Sequence, residues 1–294
     1  MNKLLVPTDF SDISKNSIIY GFHLADQLNM QVQLLHVLEL YKFAAGTSEA
    51  ELISTILPSD NIREMEASAT ESFKKLIEEI KAEYHFQSPY ELRVVSGHLI
   101  NEIIVESAQD DISLLIMAVS STQDLISRFT NNTISAIITD SICPVLLVPS
   151  GFSYKIPAKV TLATDFNKSD LDILSKFLSF FTNQNPEIQV LHIAQKSNDF
   201  KTELKFAGFK QLITEKFEIR NIKFKMASYK NVLKGILEEL KADNSDMLLM
   251  LKEHESFFKS LIETSKTEKI AHFLKIPMIS FNQAEISISK LKSK

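Results

Sequence analysis

The chain has 294 residues, of which 45% are hydrophobic and 23% charged, with a formal net charge of −5. That is ordinary globular composition at a length for about two domains, and the acidic balance gives no general attraction to nucleic acid or to an anionic membrane. No apolar run approaches the ~20 residues of a membrane helix. Cys143 is the single cysteine, so no internal disulfide can form and a reducing, cytoplasmic setting is expected.

Met1, Asn2 and Lys3 lead straight into an apolar run at 4–6, so no secretory leader is expected. That run reads as a strand buried on both faces of a parallel sheet. Ser11 or Asp12 can cap the next helix, which carries Ile18, Ile19, Phe22 and Ala25 at helical spacing. Residues 31–37 form a second strand, and 38–62 form a long irregular connection of the kind that can act as a lid. An amphipathic helix over 65–84 and a strand over 90–95 follow. Next come a helix over 99–108, a strand over 114–118, a polar stretch over 121–129, a helix over 133–140 and a fifth strand over 145–148. A linker at 151–157 opens a second series. It reads strand 160–163, helix from 168, strand 188–193, helix 200–216, strand 223–227, helix 231–241 and strand 247–251. Helix 266–274, strand 278–281 and a polar tail over 283–294 complete the chain.

The second series is a copy of the first. Thr8-Asp9-Phe10 recurs as Thr164-Asp165-Phe166, an offset of 156 residues. Gln33-x-Leu35-His36-Val37 recurs as Gln189-x-Leu191-His192-Ile193 at the same offset. Pro144 and Pro277 match at an offset of 133, so the second copy is 23 residues shorter between its second strand and third helix. The expected domains are 1–150 and 157–282. Alternating strands and helices point to an open, mostly parallel sheet with helices on both faces. Ligands of such sheets sit beyond the carboxyl ends of the strands, where strand order reverses. Asp9 and Asp165 stand at such ends.

A strand ending Val6-Pro7-Thr8-Asp9-Phe10-Ser11, a second ending Leu35-His36-Val37, and a late Cys143-Pro144-Val145-Leu146-Leu147-Val148-Pro149 resemble the universal stress protein family. The resemblance covers nearly the whole chain, in tandem. In the second copy Ala163 stands for the proline and Ile276 for the cysteine. It implies two Rossmann-like domains, each a five-stranded parallel sheet of order 3-2-1-4-5. Some family members bind ATP between the first and fourth strands, through G-x-x-G, nine residues, then G-[ST]. Glycines there would let backbone N–H groups approach phosphate at a helix N-terminus. The matching positions here are Ala118, Ser121 and Asn131, with Asn132 at the hydroxyl position. In the second copy they are Leu251, His254, Thr264 and Ser265. All six glycines are absent. The implied nucleotide crevice, in degenerate form, is Pro7, Thr8, Asp9, Val37, Ala118, Ser121, Asn131, Asn132 and Thr133.

Each candidate has a plainer role. Asp9 and Asp165 can order their strand–helix turns, and His36 and His192 can be core histidines, since neither has a metal-ligand partner at useful spacing. Ser265-x-x-Glu268 is a capping box whose acid stands where phosphate would sit. Asn131-Asn132-Thr133 lacks such an acid and has Arg128 nearby, a weak anion site or a solvated loop. Lys252-Glu253-His254-Glu255 reads as exposed loop. No catalytic motif occurs, so no catalytic residue, metal site or required cofactor is expected. The expectation is a non-catalytic stress-response binding or interaction module with lost or weak ATP binding. The alternative is an adenine-nucleotide-binding protein using the first copy only, with slow ATP hydrolysis. An intrachain pseudo-dimer through the fifth strands is expected, with a homodimer as a further possibility, since family dimers commonly pair there.

Overall fold

The computed structural model describes residues 1–39, 59–119, 128–181, 184–195, 199–217, 221–251 and 275–282. The chain opens with β1 (Lys3–Pro7), α1 (Asp12–Leu28), β2 (Gln31–Leu38), α2 (Ser59–Glu83), β3 (Tyr90–Ser96), α3 (Leu99–Ser107), β4 (Ile112–Val119) and α4 (Asn131–Asp140). It continues with β5 (Val145–Pro149), β6 (Lys159–Ala163), α5 (Ser169–Phe180), β7 (Glu187–Ala194) and α6 (Phe200–Lys216). The last described elements are β8 (Ile222–Ser228), α7 (Val232–Asp243), β9 (Met247–Leu251) and β10 (Met278–Phe281). Two compact units result, the first holding β1 to β4 with α1 to α4, the second β5 to β10 with α5 to α7. The fold is α/β, with mostly parallel sheets and helices packed on them.

In the first unit β1 lies between β2 and β4, and β3 flanks β2, all parallel. Leu4, Leu5 and Val6 are fully buried, as a continuous apolar run requires when both faces of a strand are covered. Each such side chain contributes about 1.5–3 kcal/mol by leaving water. The steps from β1 to β2 to β3 run one way across the sheet, and the step from β3 to β4 runs back past β1. Right-handed crossovers then put α1 and α2 on one face and α3 on the other. α1 approaches the sheet closely at Gly21, where a Cβ would stand 3.0 Å from the Val6 side chain.

The second unit repeats this order. β6 lies between β7 and β9, β8 flanks β7, and β10 flanks β9, all parallel. That is the 3-2-1-4-5 order of a five-stranded copy. β5, which the duplication assigns to the first copy, groups by contact with the second unit. It runs antiparallel to β10, with Leu147 opposite Met278 and Leu146 opposite Ile279.

Several boundaries differ from the sequence expectation by one or two residues, and the start of α2 differs most. The irregular connection was expected to run to residue 62, but α2 begins at Ser59. Ile62 and Met65 pack on a buried pair formed by Leu38 and Ala69, with Val94 beside them. That packing holds a first turn which helical propensity alone leaves undecided. The rest of the expected lid, 40–58, lies outside the described residues. So do the helix expected at 266–274, Lys252-Glu253-His254-Glu255, the Ser265-x-x-Glu268 box, and the tail. No helix among the described residues is long and apolar enough to cross a membrane.

Candidate functional site

The carboxyl end of β1 faces the strand-order reversal between β2 and β4. Its turn is built by Thr8, which is buried. The Thr8 N–H donates to the Leu35 carbonyl at 2.8 Å, continuing the ladder one residue past β1. Its hydroxyl accepts the Phe10 N–H at 3.0 Å and bonds the Ser14 hydroxyl at 2.9 Å. Its carbonyl meets His36 Nδ1 at 2.8 Å. A carbonyl only accepts, so Nδ1 carries the proton. Phe10 adopts φ of 63°, a left-handed conformation costing a bulky residue roughly 1–2 kcal/mol. Its ring offsets that cost by packing tilted against His36 at 4.5 Å and edge-on to the buried Phe73 at 5.0 Å. Ser11 then caps α1 by accepting the Ser14 N–H.

Asp9 ties this turn to a distant segment. One carboxylate oxygen accepts from the Ser11 N–H and hydroxyl, and the other accepts the Arg128 N–H at 2.7 Å. The Arg128 guanidinium donates to the Val37 carbonyl at 2.9 Å and lies 3.9 Å from the buried Glu39 carboxylate. Arg128 therefore spans the carboxyl ends of β1 and β2 from the segment that follows β4. Burial works against the Asp9 charge. Hydrogen bonds from Ser11, from the Arg128 N–H and from Ser14 outweigh it and hold the carboxyl below its ordinary value. Burial also holds the His36 imidazole low, helped by the Arg128 charge, against the Thr8 carbonyl and Asp9, which favour its charged form.

The second copy keeps the turn and changes its chemistry. His192 Nδ1 meets the Thr164 carbonyl at 2.7 Å, and Phe166 repeats the left-handed conformation at φ of 65°. Asp165, however, has a side chain 64% exposed. Asp170 stands at the Ser14 position, fully buried, accepting from the Thr164 hydroxyl at 2.6 Å and the Asn167 N–H at 3.1 Å. The carboxylate engaged by the fold has moved from the strand end into the first turn of α5, where it takes the place an anion would favour. The position matching Arg128 is Leu261, outside the described residues.

Of the residues expected in the crevice, Pro7, Thr8 and Asp9 form this turn. Val37 supplies the carbonyl that Arg128 holds, and Ala118 is buried near the end of β4. Thr133 is half-buried; its N–H and hydroxyl meet the Thr130 hydroxyl, and its hydroxyl also donates to the Arg128 carbonyl at 3.3 Å. Asn132 is exposed, and Asn131 opens α4. Ser121 and the side chain of Asn131 lie outside the described residues. Thr130, not Asn131 or Asn132, caps α4. Sequence inspection missed Ser14 and Glu39, and read Arg128 only as a cation near a helix start. No group of three or more metal-ligating side chains occurs among the described residues.

The profile of the Universal stress protein family matches residues 1–149. A universal stress protein of Methanocaldococcus jannaschii is 25% identical over 148 residues, covering 50% of this chain and 81% of that protein. Among solved structures, a universal stress protein from Archaeoglobus fulgidus superposes with a TM-score of 0.67 at 19% identity, with 96% of each chain covered. The cytoplasmic domain of a prokaryotic cation chloride cotransporter superposes with a TM-score of 0.53 at 12% identity, with 98% of this chain and 99% of that one covered. Likenesses this remote speak to the fold, which hosts unrelated functions.

The site has a defined pH signature. Asp9 and His36 both have folded values below their ordinary 3.8 and 6.5, so in each window the unfolded chain binds more protons. Stability therefore falls as pH drops below 6.5 through His36. The Asp9 contribution, complete above 3.8, is lost as pH falls through its lowered folded value. Denaturant unfolding should show Asp9→Asn weaker than the unsubstituted chain at neutral pH, with the gap closing in strong acid. A gap independent of pH would mean that the Asp9 charge contributes nothing to folding.

Proposed function

The chain belongs to the universal stress protein family, and from that premise we propose that it is a non-catalytic binding or interaction module of a stress response. In this reading its first crevice takes adenine nucleotides weakly or not at all. The observation that carries the reading is the Arg128 bridge. The family resemblance implies that, in nucleotide-binding members, the aspartate matching Asp9 lies at the adenosine end of the crevice. Here its carboxylate accepts the Arg128 N–H, and the neighbouring Val37 carbonyl accepts the guanidinium. A purine reaching these groups must displace Arg128. Both hydrogen bonds involve a charged group, the Asp9 carboxylate in one and the guanidinium in the other, which puts that cost at about 3–6 kcal/mol, roughly a 140- to 20,000-fold loss of affinity. The missing glycines at Ala118 and Asn131 add side chains where backbone would have to approach phosphate. In the second copy the buried Asp170 supports the same conclusion.

One observation favours the alternative, a nucleotide-binding first copy. The first turn of α4 holds no acidic residue, so its helix-end charge remains compatible with phosphate.

We further infer that the two copies join within one chain through β5 and β10, each of which would otherwise leave an exposed edge. The antiparallel register of Leu146 against Ile279 supports this. Directly opposed residues of an antiparallel pair lie within disulfide reach. Leu146→Cys with Ile279→Cys, in a Cys143→Ser background, should oxidise to a disulfide within single chains. Disulfides forming only between chains would contradict the inference.

Calorimetric titration tests the main reading. The chain should show no tight site for ATP, ADP, AMP or cyclic AMP with or without magnesium, and Arg128→Ala should raise adenine-nucleotide affinity. A tight, magnesium-dependent site in the unsubstituted chain would overturn the proposal. Unchanged binding in a folded Arg128→Ala variant, which keeps the backbone N–H on Asp9, would show that the guanidinium on the Val37 carbonyl is not what closes the crevice.

A further inference from the structure

The outer face of α6 is apolar and exposed. Of the seven exposed large hydrophobic side chains among the described residues, three lie on this helix: Phe200 at 76%, Leu204 at 63% and Leu212 at 51% exposure. Its buried side is narrow, holding Phe209 and Ile213. At 3.6 residues per turn, Phe200, Leu204, Gly208 and Gln211 run along the opposite side, with Ala207 and Leu212 beside them. α2, the matching helix of the first copy, contributes no exposed large hydrophobic among its described side chains. The two copies have diverged at this surface.

Gly208 marks the middle of the face. Among the described residues a Cβ placed there would meet nothing within 4 Å, so no packing among them explains the glycine, although it weakens a helix interior by about 1 kcal/mol. With Ala207 it leaves a shallow place where a second helix can approach to about 8 Å between axes. The helix carries mixed charges, with Glu203 in its first half and Lys210 and Lys216 in its second, but those nearest the middle of the apolar side are ordered. Lys201 and Lys205 lie in its first half, and Glu215 lies on the apolar side near its end, held there by the Gln211 side-chain amide at 2.7 Å.

We propose that α6 is a self-association surface that pairs antiparallel with α6 of a second copy of this chain, about a two-fold axis at Gly208. Rotation about that axis sets Leu204 against the partner's Leu212 and Lys201 against the partner's Glu215. Because the contact is isologous, each of these pairs occurs twice. A parallel arrangement would instead set Lys201 on Lys201 and align the two helix dipoles, both unfavourable. One helix pair buries less than the ~1,200 Å² of ordinary stable interfaces, so the dimer forms in the micromolar range.

Sedimentation velocity on the full chain tests this. The unsubstituted chain should pass from monomer to dimer with rising micromolar concentration. Leu204→Glu should weaken association by about tenfold or more, as expected for a central apolar contact. Lys201→Glu and Glu215→Lys should each weaken it, and their combination should restore it. Gly208→Cys in a Cys143→Ser background should give a disulfide-linked dimer on mild oxidation. Apart from the buried Cys143, all these positions are exposed, so melting temperatures should stay close to that of the matching parent, which for Gly208→Cys is the Cys143→Ser chain. A chain monomeric throughout, or a dimer indifferent to Leu204→Glu, overturns the proposal, and with it a face kept for a different partner becomes the better account. Failure of the paired charge reversal to restore association overturns the antiparallel register.

Discussion

The Asp9 carboxylate holds three parts of the first copy together, two of them adjacent and one 119 residues away. It orders the turn that ends β1, supports the start of α1 through Ser11, and fixes the segment after β4 through the Arg128 N–H. A half-buried carboxylate is costly unless its oxygens are occupied. Here both are occupied by donors, and those donors are parts of the fold. The crevice that the strand order creates is therefore lined at one end by groups already engaged. Arg128 extends this by carrying its charge to the carbonyl end of β2 and towards Glu39.

The duplication offers an internal comparison. Both copies keep the threonine that closes the turn, the histidine whose Nδ1 meets its carbonyl, and the phenylalanine forced into a left-handed conformation. These are the parts a strand–helix turn needs to leave no buried polar group unpaired. What differs is where the engaged carboxylate sits: Asp9 at the strand end in one copy, Asp170 inside the helix start in the other. With Asp170 at the Ser14 position, Asp165 is largely exposed and stands 3.7 Å from His192. The turn is thus a structural unit, and the chemistry of the crevice varies on top of it.

Much of the fold was legible because its signals are local or repeated. An unbroken apolar run such as Leu4-Leu5-Val6 has few readings besides a doubly covered strand, and the duplication supplied every element twice. The start of α2 was not legible, since it depends on Ile62 and Met65 reaching Leu38 across the sheet. The company of β5 was expected only through the family resemblance, since nothing in its residues tells which neighbour it joins. At the site, the position of Asp9 could be read from its strand end. Its partner could not, because the donor lies 119 residues away and is a backbone N–H, which leaves no mark on residue type. Arg128 was visible as a cation near a helix start. Its engagement with Val37 depends on the loop path, which composition does not encode.

The central claim is that Asp9 and Arg128 close the first crevice from within. Amide hydrogen exchange at Arg128 measures that contact directly. In the unsubstituted chain this N–H, bonded to a carboxylate, should exchange far more slowly than in an unstructured peptide. In Asp9→Ala its protection should collapse while β1 and β2 stay protected. Exchange at the unstructured rate in the unsubstituted chain, or protection that survives Asp9→Ala, would contradict the account.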